Sequence, residues 1–533
     1  MSATELSSLE AQAPVLVTGP SADRSASWRR AFECELPGTR QEFEETMARA
    51  EALDWPEVGR AALYGVLRHV AESSPGDGIP VAGSLLEVAQ RDGDLDMVAL
   101  ALAWRAWLGT VRAEGSRALV DEDLARAVVL LERRDGDPVV KATAHFRVAF
   151  CMWERKLWEL TDAQLEAAEL MVDEVDPLRR DPLLHRAAIA LDRVMVDLDW
   201  ALTLRQVEDR PGVLERRDAQ EAHVRAAAAL DMPELWREHI AVARLVMEVL
   251  CDGGSRSEVA AHLARVSESE ELAEWAPALH LALALCAAGT APAEAAEAAE
   301  RAVVAAEAAG DTTSPTYLLA LYQAAVLEAE VAGRTTAGLR SAEALARQRE
   351  LDRRAVLAGQ VAAIGAQRLR GERDLFVRQA HSDPLTGLAN RRGLQAHLSA
   401  LAASGVGGVA LVLFDMDSFK SVNDRYGHLT GDRVLQRVSE VMSANVRSED
   451  FLARLGGDEF LLLLRHADHE VASRRAEAVA ASVGGMEWHG ALEGLRVSLS
   501  YGVAVGDISG VLELTHEADT ALYRAKFARR ATA

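Results

Sequence analysis

From about residue 38 to residue 350 the apolar residues of this chain recur three and four apart, and they never settle into alternation. "EFEETMARAEAL", "DLARAVVLLERR" and "PTYLLALYQAAVLEAEVAG" all show that spacing. A stripe of that period can be buried by a helix but not by a strand. The breaks, at "DGD", "DGG", "AGD" and "SP", are turn-forming. The run "APAEAAEAAERAVVAAEAAGD" is low in complexity, yet alanine and glutamate make it strongly helical. The region is therefore expected to be helix after helix, each needing a neighbour to cover its stripe. Helix pairs of roughly 35 to 40 residues stack into an alpha-solenoid. The clearest unit runs from Ser314 to about Leu351, as helix, "AGRTT" turn and helix. Nine of the ten tryptophans lie before residue 380, eight of them in this helical region. They are expected to fill gaps between helices; a groove for a peptide or small ligand is the competing reading.

The longest apolar stretches, "MVALALAWRAWLG" and "APALHLALALCAAG", are short or interrupted by Arg105 or His280. A membrane span needs about twenty apolar residues, so these read as buried solenoid helices. Residues 1–37 lack a basic segment followed by an apolar core and read as a disordered tail, not a signal peptide. The formal net charge of −24 argues against broad binding to nucleic acid or anionic membrane. It leaves room for an anionic small ligand in a locally basic pocket. Cys34, Cys151, Cys251 and Cys286 form no C-x-x-C pair and have no histidine cluster beside them. Reduced cysteines in a cytosolic protein are the plain reading.

Residues 336–380 read as one long polar helix with an imperfect apolar stripe of Leu351, Val356, Leu357, Val361, Ile364, Leu369 and Phe376. A coiled-coil stalk is expected there, a last solenoid helix being the alternative. After Asp383 the pattern changes. "GVALVLFDMD" is a continuous apolar run, as in a strand buried on both faces. "HLTGDRVLQRVSEVM" places Val434, Leu435, Val438, Val441 and Met442 on one helical face. "DFLARLGGDEFLLLLR" reads as a hairpin turning at Gly456 and Gly457. "LRVSLSYGVAV" alternates, and "GVLELTHEADTALYRAKFARR" is an amphipathic closing helix. Mixed strands and helices in this order predict an α/β (α+β) domain of about 150 residues.

Asp415 and Asp417 end the buried strand, and the hairpin could bring Asp458 and Glu459 beside them. Carboxylates without histidine or cysteine favour a hard cation, magnesium above all when phosphate oxygens share it. Lys420 follows the first acids. Asp519, Tyr523, Lys526 and Arg530 fall on one face of the closing helix. Lys526 and Arg530 suit phosphate, although cations near a helix end also complement its dipole.

"DPLTGLANRRG" (383–393), "FDMDSFKSVNDRYGHLTGD" (414–432), "RLGGDEF" (454–460) and "ADTALYRAK" (518–526) resemble, in order and spacing, the motifs of the GGDEF family of diguanylate cyclases. The resemblance covers the C-terminal third of the chain. It implies a domain like the palm of nucleotidyl cyclases, which joins two GTP into cyclic di-GMP and two pyrophosphates. It also implies a head-to-tail homodimer with two Mg²⁺ (or Mn²⁺) per GTP half-site. By motif match, Asp415, Asp458 and the Met416 carbonyl would hold metal, and Glu459 would lie near the ribose 3′-hydroxyl. Asn423 and Asp432 would read guanine, and the aspartate favours GTP over ATP. Phe419, Lys420, Gly456, Gly457, Lys526 and Arg530 would meet the phosphates. "RSED" (447–450) resembles the family's inhibitory product site, with Arg447 and Asp450 receiving cyclic di-GMP. A helix-end salt bridge is the plainer reading of that pair.

Two departures stand out. "AKFARRATA" replaces the family's usual A-K-x-x-G-R-N, so Arg530 matches less closely than Lys526. Ser418 stands where many relatives have His or Phe. The helical half resembles tetratricopeptide repeats without a clean Trp/Leu/Gly/Tyr signature. The expected organisation is thus a tail (1–37), a helical-repeat sensory or interaction domain (38–335), a linking helix (336–380) and a GGDEF domain (381–533). The expected activity is cytoplasmic cyclic di-GMP synthesis under control of the helical half, which would have a partner or ligand of its own. A catalytically silent GTP or cyclic di-GMP receptor is the alternative.

Overall fold

The computed structural model describes residues 40–112, 116–173, 181–404, 408–447, 449–488 and 495–532. Cys34, the tail and Ser448 of "RSED" lie outside the described residues. The chain divides into two compact units, one ending at Arg368 and the other beginning at Leu369.

In the first unit the helical period becomes an array. It runs through α1 (Arg40–Ala52), α2 (Pro56–Ser73), α3 (Pro75–Asp92), α4 (Leu95–Arg112), α5 (Arg117–Leu131), α6 (Pro138–Glu154), α7 (Trp158–Asp173) and α8 (Asp181–Gln206). It continues with α9 (Arg210–Ala228), α10 (Glu234–Leu250), α11 (Arg256–Glu268), α12 (Ala276–Ala287), α13 (Pro292–Ala308) and α14 (Pro315–Val331). Most of these helices pack on their sequence neighbours, and α4 also meets α6, α8 meets α10 and α12 meets α14. That is the stacking expected of a solenoid. The turn residues act as caps: Asp137 accepts from the Val139 amide, and Ser314 from the Tyr317 amide. Trp104, Trp158, Trp236 and Trp275 are buried among the helices, as gap-filling requires.

The next helix, α15 (Ala337–His381), is unbroken across Gly359, Gly365 and Gly371. Up to Arg368 it is a packed member of the array. Ala346 joins the core built from α8 to α14, and Ile364 joins the core built from α2 to α6. It therefore lies along both halves of the first unit. Polar contacts fix it there: Arg353 pairs with Glu159 at 2.8 Å, and buried Gln360 donates to the Asp121 carbonyl at 3.2 Å. Glu350 is pinned between Arg353 and Arg354, whose hydrogen bonds hold its carboxyl below the usual range although burial pushes it up. The stripe expected of a stalk is divided. Val356, Leu357 and Ile364 face the array, whereas Leu351, Val361, Leu369 and Phe376 are exposed.

The second unit is built on a four-stranded antiparallel sheet. Its further elements are α16 (Arg391–Ala403), β1 (Gly408–Met416), α17 (Phe419–Tyr426), α18 (His428–Ala444), β2 (Phe451–Gly456), β3 (Glu459–Arg465), α19 (His469–Gly484), β4 (Leu499–Asp507) and α20 (Val511–Thr532). The strand order is β2-β3-β1-β4. β1 is central and buried on both faces, as its continuous apolar run predicts. Ala410, Val412 and Phe414 pack beneath α18 and α19, while Val409, Leu411 and Leu413 pack against α16 and α20. α18 buries Val434, Leu435, Val438 and Met442, the face read from sequence, with Val441 half-buried. β4 departs from simple alternation: Leu499, Tyr501 and Val503 serve one core, Ala504 serves the other, and Val505 is exposed. Gly502 is needed because a β-carbon there would stand 2.1 Å from the Ala518 carbonyl. Its absence lets α20 lie directly on the sheet.

Candidate active site

The polar ends of three strands meet at one edge of this sheet. β1 leaves the core at Asp415, Met416 and Asp417. In register, Asp415 faces Glu459 of β3 and Ser500 of β4, so these side chains share a face. The β2–β3 turn closes onto the same strand end, since the Met416 amide donates to the Asp458 carbonyl at 3.2 Å. Gly456 and Gly457 both have positive φ, and the space beside each is open. The hairpin expectation therefore holds, and the glycines serve the turn itself.

Asp415 is buried, and the Lys526 ammonium lies 2.6 Å from its Oδ2. Burial raises its carboxyl above the ordinary value; the Lys526 hydrogen bond opposes this, and nearby Asp458 and Asp417 add to it. The packing of α20 on Gly502 is what carries Lys526 to the acids. Asp458 is half-buried and Glu459 exposed. Among the described residues no three His, Cys, Asp or Glu groups form a complete metal cage. Two carboxylates at a strand end still suit Mg²⁺, which takes one or two carboxylates and completes its shell with phosphate and water.

Asp417 belongs to a different structure. Its carboxylate accepts from the Ser498 and Ser500 hydroxyls, each at 2.6 Å, and its amide donates to the Ser498 carbonyl at 2.9 Å. It fastens β4 to the end of β1 beside the acids. The serines two apart in "VSLSYG" were the only trace of this in the sequence.

Ser418 then takes a left-handed backbone and starts α17, so that Phe419 turns into the core and Lys420 faces solvent. Asn423, on α17, rests against Gly431 at the start of α18, where a β-carbon would fall 1.8 Å from its Oδ1. Asp432 is the next residue, and both polar side chains are half-buried. Gly431 is thus a site residue that sequence reasoning missed, visible there only as the glycine of "HLTGD".

Arg454 was also missed. It is buried at 9% exposure, and its Nε and Nη2 donate to the Gly457 carbonyl at 3.0 and 2.7 Å. Its Nη1 donates to Asp383 Oδ1 at 2.8 Å. Burial pushes the Asp383 carboxyl up, but hydrogen bonds from Thr386 and Arg454 outweigh it and hold the group below its ordinary value. One guanidinium therefore joins "DPLT" to the turn that carries Asp458. Asn390 fastens the same segment, capping α16 and donating to the Ala380 and Ser382 carbonyls.

Arg447 and Asp450 lie in the turn between α18 and β2. The Arg447 guanidinium is 3.6 Å from Glu449, and its contacts with Asp450 run through its own backbone. Both Arg447 and Glu449 are largely exposed. The Arg530 side chain lies outside the described residues.

Residues 380–532 match the family described as "Diguanylate cyclase, GGDEF domain". The chain is similar to the diguanylate cyclase DgcP of Pseudomonas aeruginosa, 37% identical over 28% of this chain and 23% of that protein. It is also similar to the diguanylate cyclase DgcS of Shewanella oneidensis, 34% identical over 28% of this chain and 51% of that one. Among solved structures it resembles the coiled coil and GGDEF domain of DgcB from Caulobacter crescentus in complex with c-di-GMP. That match is 28% identical, covers 33% of this chain and 94% of that one, and has a TM-score of 0.30. The chain spans about a quarter to half of the length of these curated relatives. Among the described residues no helix is long and apolar enough to cross a membrane.

Proposed function

We propose, from the premise that residues 380–532 are a GGDEF domain, that the chain condenses two GTP into cyclic di-GMP and two pyrophosphates. The observation that carries this reading is the convergence of Asp415 and the Asp458 turn at one strand end, with Lys526 already 2.6 Å from Asp415.

Asp415 and Asp458, with the Met416 carbonyl, would hold Mg²⁺ or Mn²⁺, two per GTP half-site. The bound cations would lower the pKa of the 3′-hydroxyl and steady the leaving oxygen. Glu459, across from Asp415, lies on the face where that hydroxyl would sit. Lys526 offsets charge on phosphate oxygens brought to the acids. The open space beside Gly456 and Gly457 admits a triphosphate against bare backbone, and the first turn of α17 supplies the Phe419 amide and the Lys420 charge. Arg530 would extend the grip. Asn423 and Asp432, side by side, match the guanine edge: a carboxylate accepts from N1–H and the 2-amino group, which adenine cannot both offer.

Each subunit binds one GTP, so turnover needs a second copy of the chain. Exposed Leu369 and Phe376, seven residues apart on α15, support helix pairing between copies. The exposed Arg447 turn supports a product site that slows the enzyme as cyclic di-GMP accumulates, with control by the helical array acting on the same dimer. The silent-receptor alternative has no substituted acid to rest on.

The test is incubation of the full chain with GTP and Mg²⁺ and separation of the products, beside Asp458→Ala. Cyclic di-GMP from the first and none from the second is expected. No product from either, at concentrations where copies associate, overturns the reading.

A further inference from the structure

A cleft of about 640 Å³ opens in the helical unit between the loop that follows α5, the helices α6 and α7, and the packed stretch of α15. Its charge is opposite to that of the chain. Among the described residues, Arg133, Arg134, Lys141 and Arg368 line it against one carboxylate, Glu132, in a protein of net charge −24.

The loop bearing the two arginines is held rigidly from below. Lys141, 4% exposed, spends its ammonium on the carbonyls of Arg133 and Asp135. Asp96, also buried, accepts from the Asp137 amide at 2.8 Å. Gly136 admits this closeness, since a β-carbon there would sit 2.1 Å from the Asp96 carboxylate. Two buried charges are thus used to fix a loop whose outward products are Arg133 and Arg134. Placing donors in advance lowers the ordering cost of binding.

Those donors are incompletely used. Asp135 pairs with Arg133 through Nη2 at 2.6 Å, but Arg133 Nη1 is buried with no hydrogen-bond partner. Arg134 has no carboxylate partner among the described residues, and Glu132 is taken up by Arg368. The rest of the lining is largely apolar, with Leu131, Leu160, Met171 and Ile364; of these Leu131 and Ile364 are buried. His145, buried, and Gln164 add a polar pair to this wall, with His145 Nδ1 2.9 Å from Gln164 Oε1. A volume of this size suits a small molecule rather than a polypeptide segment.

We propose that this cleft binds a small amphipathic anion, its phosphate or carboxylate head on Arg133 and Arg134 and its apolar body against Leu160, Met171 and Ile364. The site goes beyond the cyclase reading and stands or falls without it, because binding is read directly.

The experiment is titration calorimetry of the full chain with octyl phosphate and octanoate below their micelle concentrations, beside inorganic phosphate and 1-octanol. One-to-one saturable binding of an amphipathic anion, at least tenfold tighter than either half-probe, is expected. Tighter octyl phosphate assigns a phosphate monoester, and tighter octanoate a carboxylate. Arg134→Glu and Ala163→Trp change exposed residues, one reversing charge and one filling the cleft. Each should weaken binding at least tenfold, while Arg225→Glu, an exposed cation on α9, should leave it unchanged. No saturable binding to the unsubstituted chain overturns the proposal. So does Arg134→Glu binding as well as the unsubstituted chain, or Arg225→Glu weakening binding equally.

Discussion

Replacing Arg454 by lysine should loosen the turn that carries Asp458 while leaving the sheet intact. The guanidinium makes three hydrogen bonds, two to the Gly457 carbonyl and one to Asp383, on side chains only 10% and 18% exposed. A lysine ammonium is a point donor and cannot serve the carbonyl and the carboxylate in that planar geometry. Losing one charge-assisted bond costs about 1.5–3 kcal/mol. Asp383 keeps its bonds from the Thr386 amide and hydroxyl, so it is not stranded. The loss should therefore appear as local opening of the turn. The Met416 amide reports it, because it donates to the Asp458 carbonyl. In Arg454→Lys its hydrogen exchange should quicken roughly 10- to 100-fold, at 1.4 kcal/mol per decade. The amide of Leu411, mid-strand and fully buried, should change far less. Met416 exchange within twofold of the parent protein would refute the clamp. Equal acceleration at Leu411 would refute its being local.

Three further outcomes follow from the same geometry. Asp432→Ala should raise the KM for GTP roughly 10- to 100-fold, the range for losing a charged hydrogen bond of about 1.5–3 kcal/mol, with the secondary structure seen by circular dichroism unchanged. Leu369→Glu with Phe376→Glu should lower the dimer fraction in sedimentation and cut turnover at least tenfold at low chain concentration, with recovery as concentration rises. Asp383 has a folded-state pKa below its ordinary 3.8. Its contribution to stability is therefore full above that value and is lost as pH falls through the folded pKa. In denaturant melts the stability gap between the parent and Asp383→Asn should hold from pH 7 to 5 and narrow below 3.8.

The helical period, the buried strand and the hairpin glycines were legible because each follows from local rules. Apolar spacing fixes which face is buried, and a run such as "GVALVLF" has only one comfortable place in a mixed sheet. The same run placed Asp415 at a strand end. What was not legible depends on contacts distant in sequence. Arg454 reaches Asp383, 71 residues away, and Asp417 is held by serines more than 80 residues on. Gly431 and Gly502 look like ordinary glycines until Asn423 and α20 are seen against them. α15 shows the same limit. Its stripe is too irregular to tell a partner chain from its own array, and the structure assigns Ile364 to the array while leaving Leu369 and Phe376 outside.

What separates a cyclase from a silent receptor is whether the carboxylates at the end of β1 and in the β2–β3 turn perform chemistry on GTP or merely hold it. The direct test measures GTP binding and cyclic di-GMP formation separately, in the parent protein and in Asp415→Asn and Asp458→Asn, with Mg²⁺ present. For a cyclase, binding should stay within about tenfold of the parent, since base and phosphate contacts remain, and product formation should fall at least a thousandfold. Product formed at near-parent rates by either variant would contradict the cyclase reading, as would a parent protein that binds GTP and returns it unchanged.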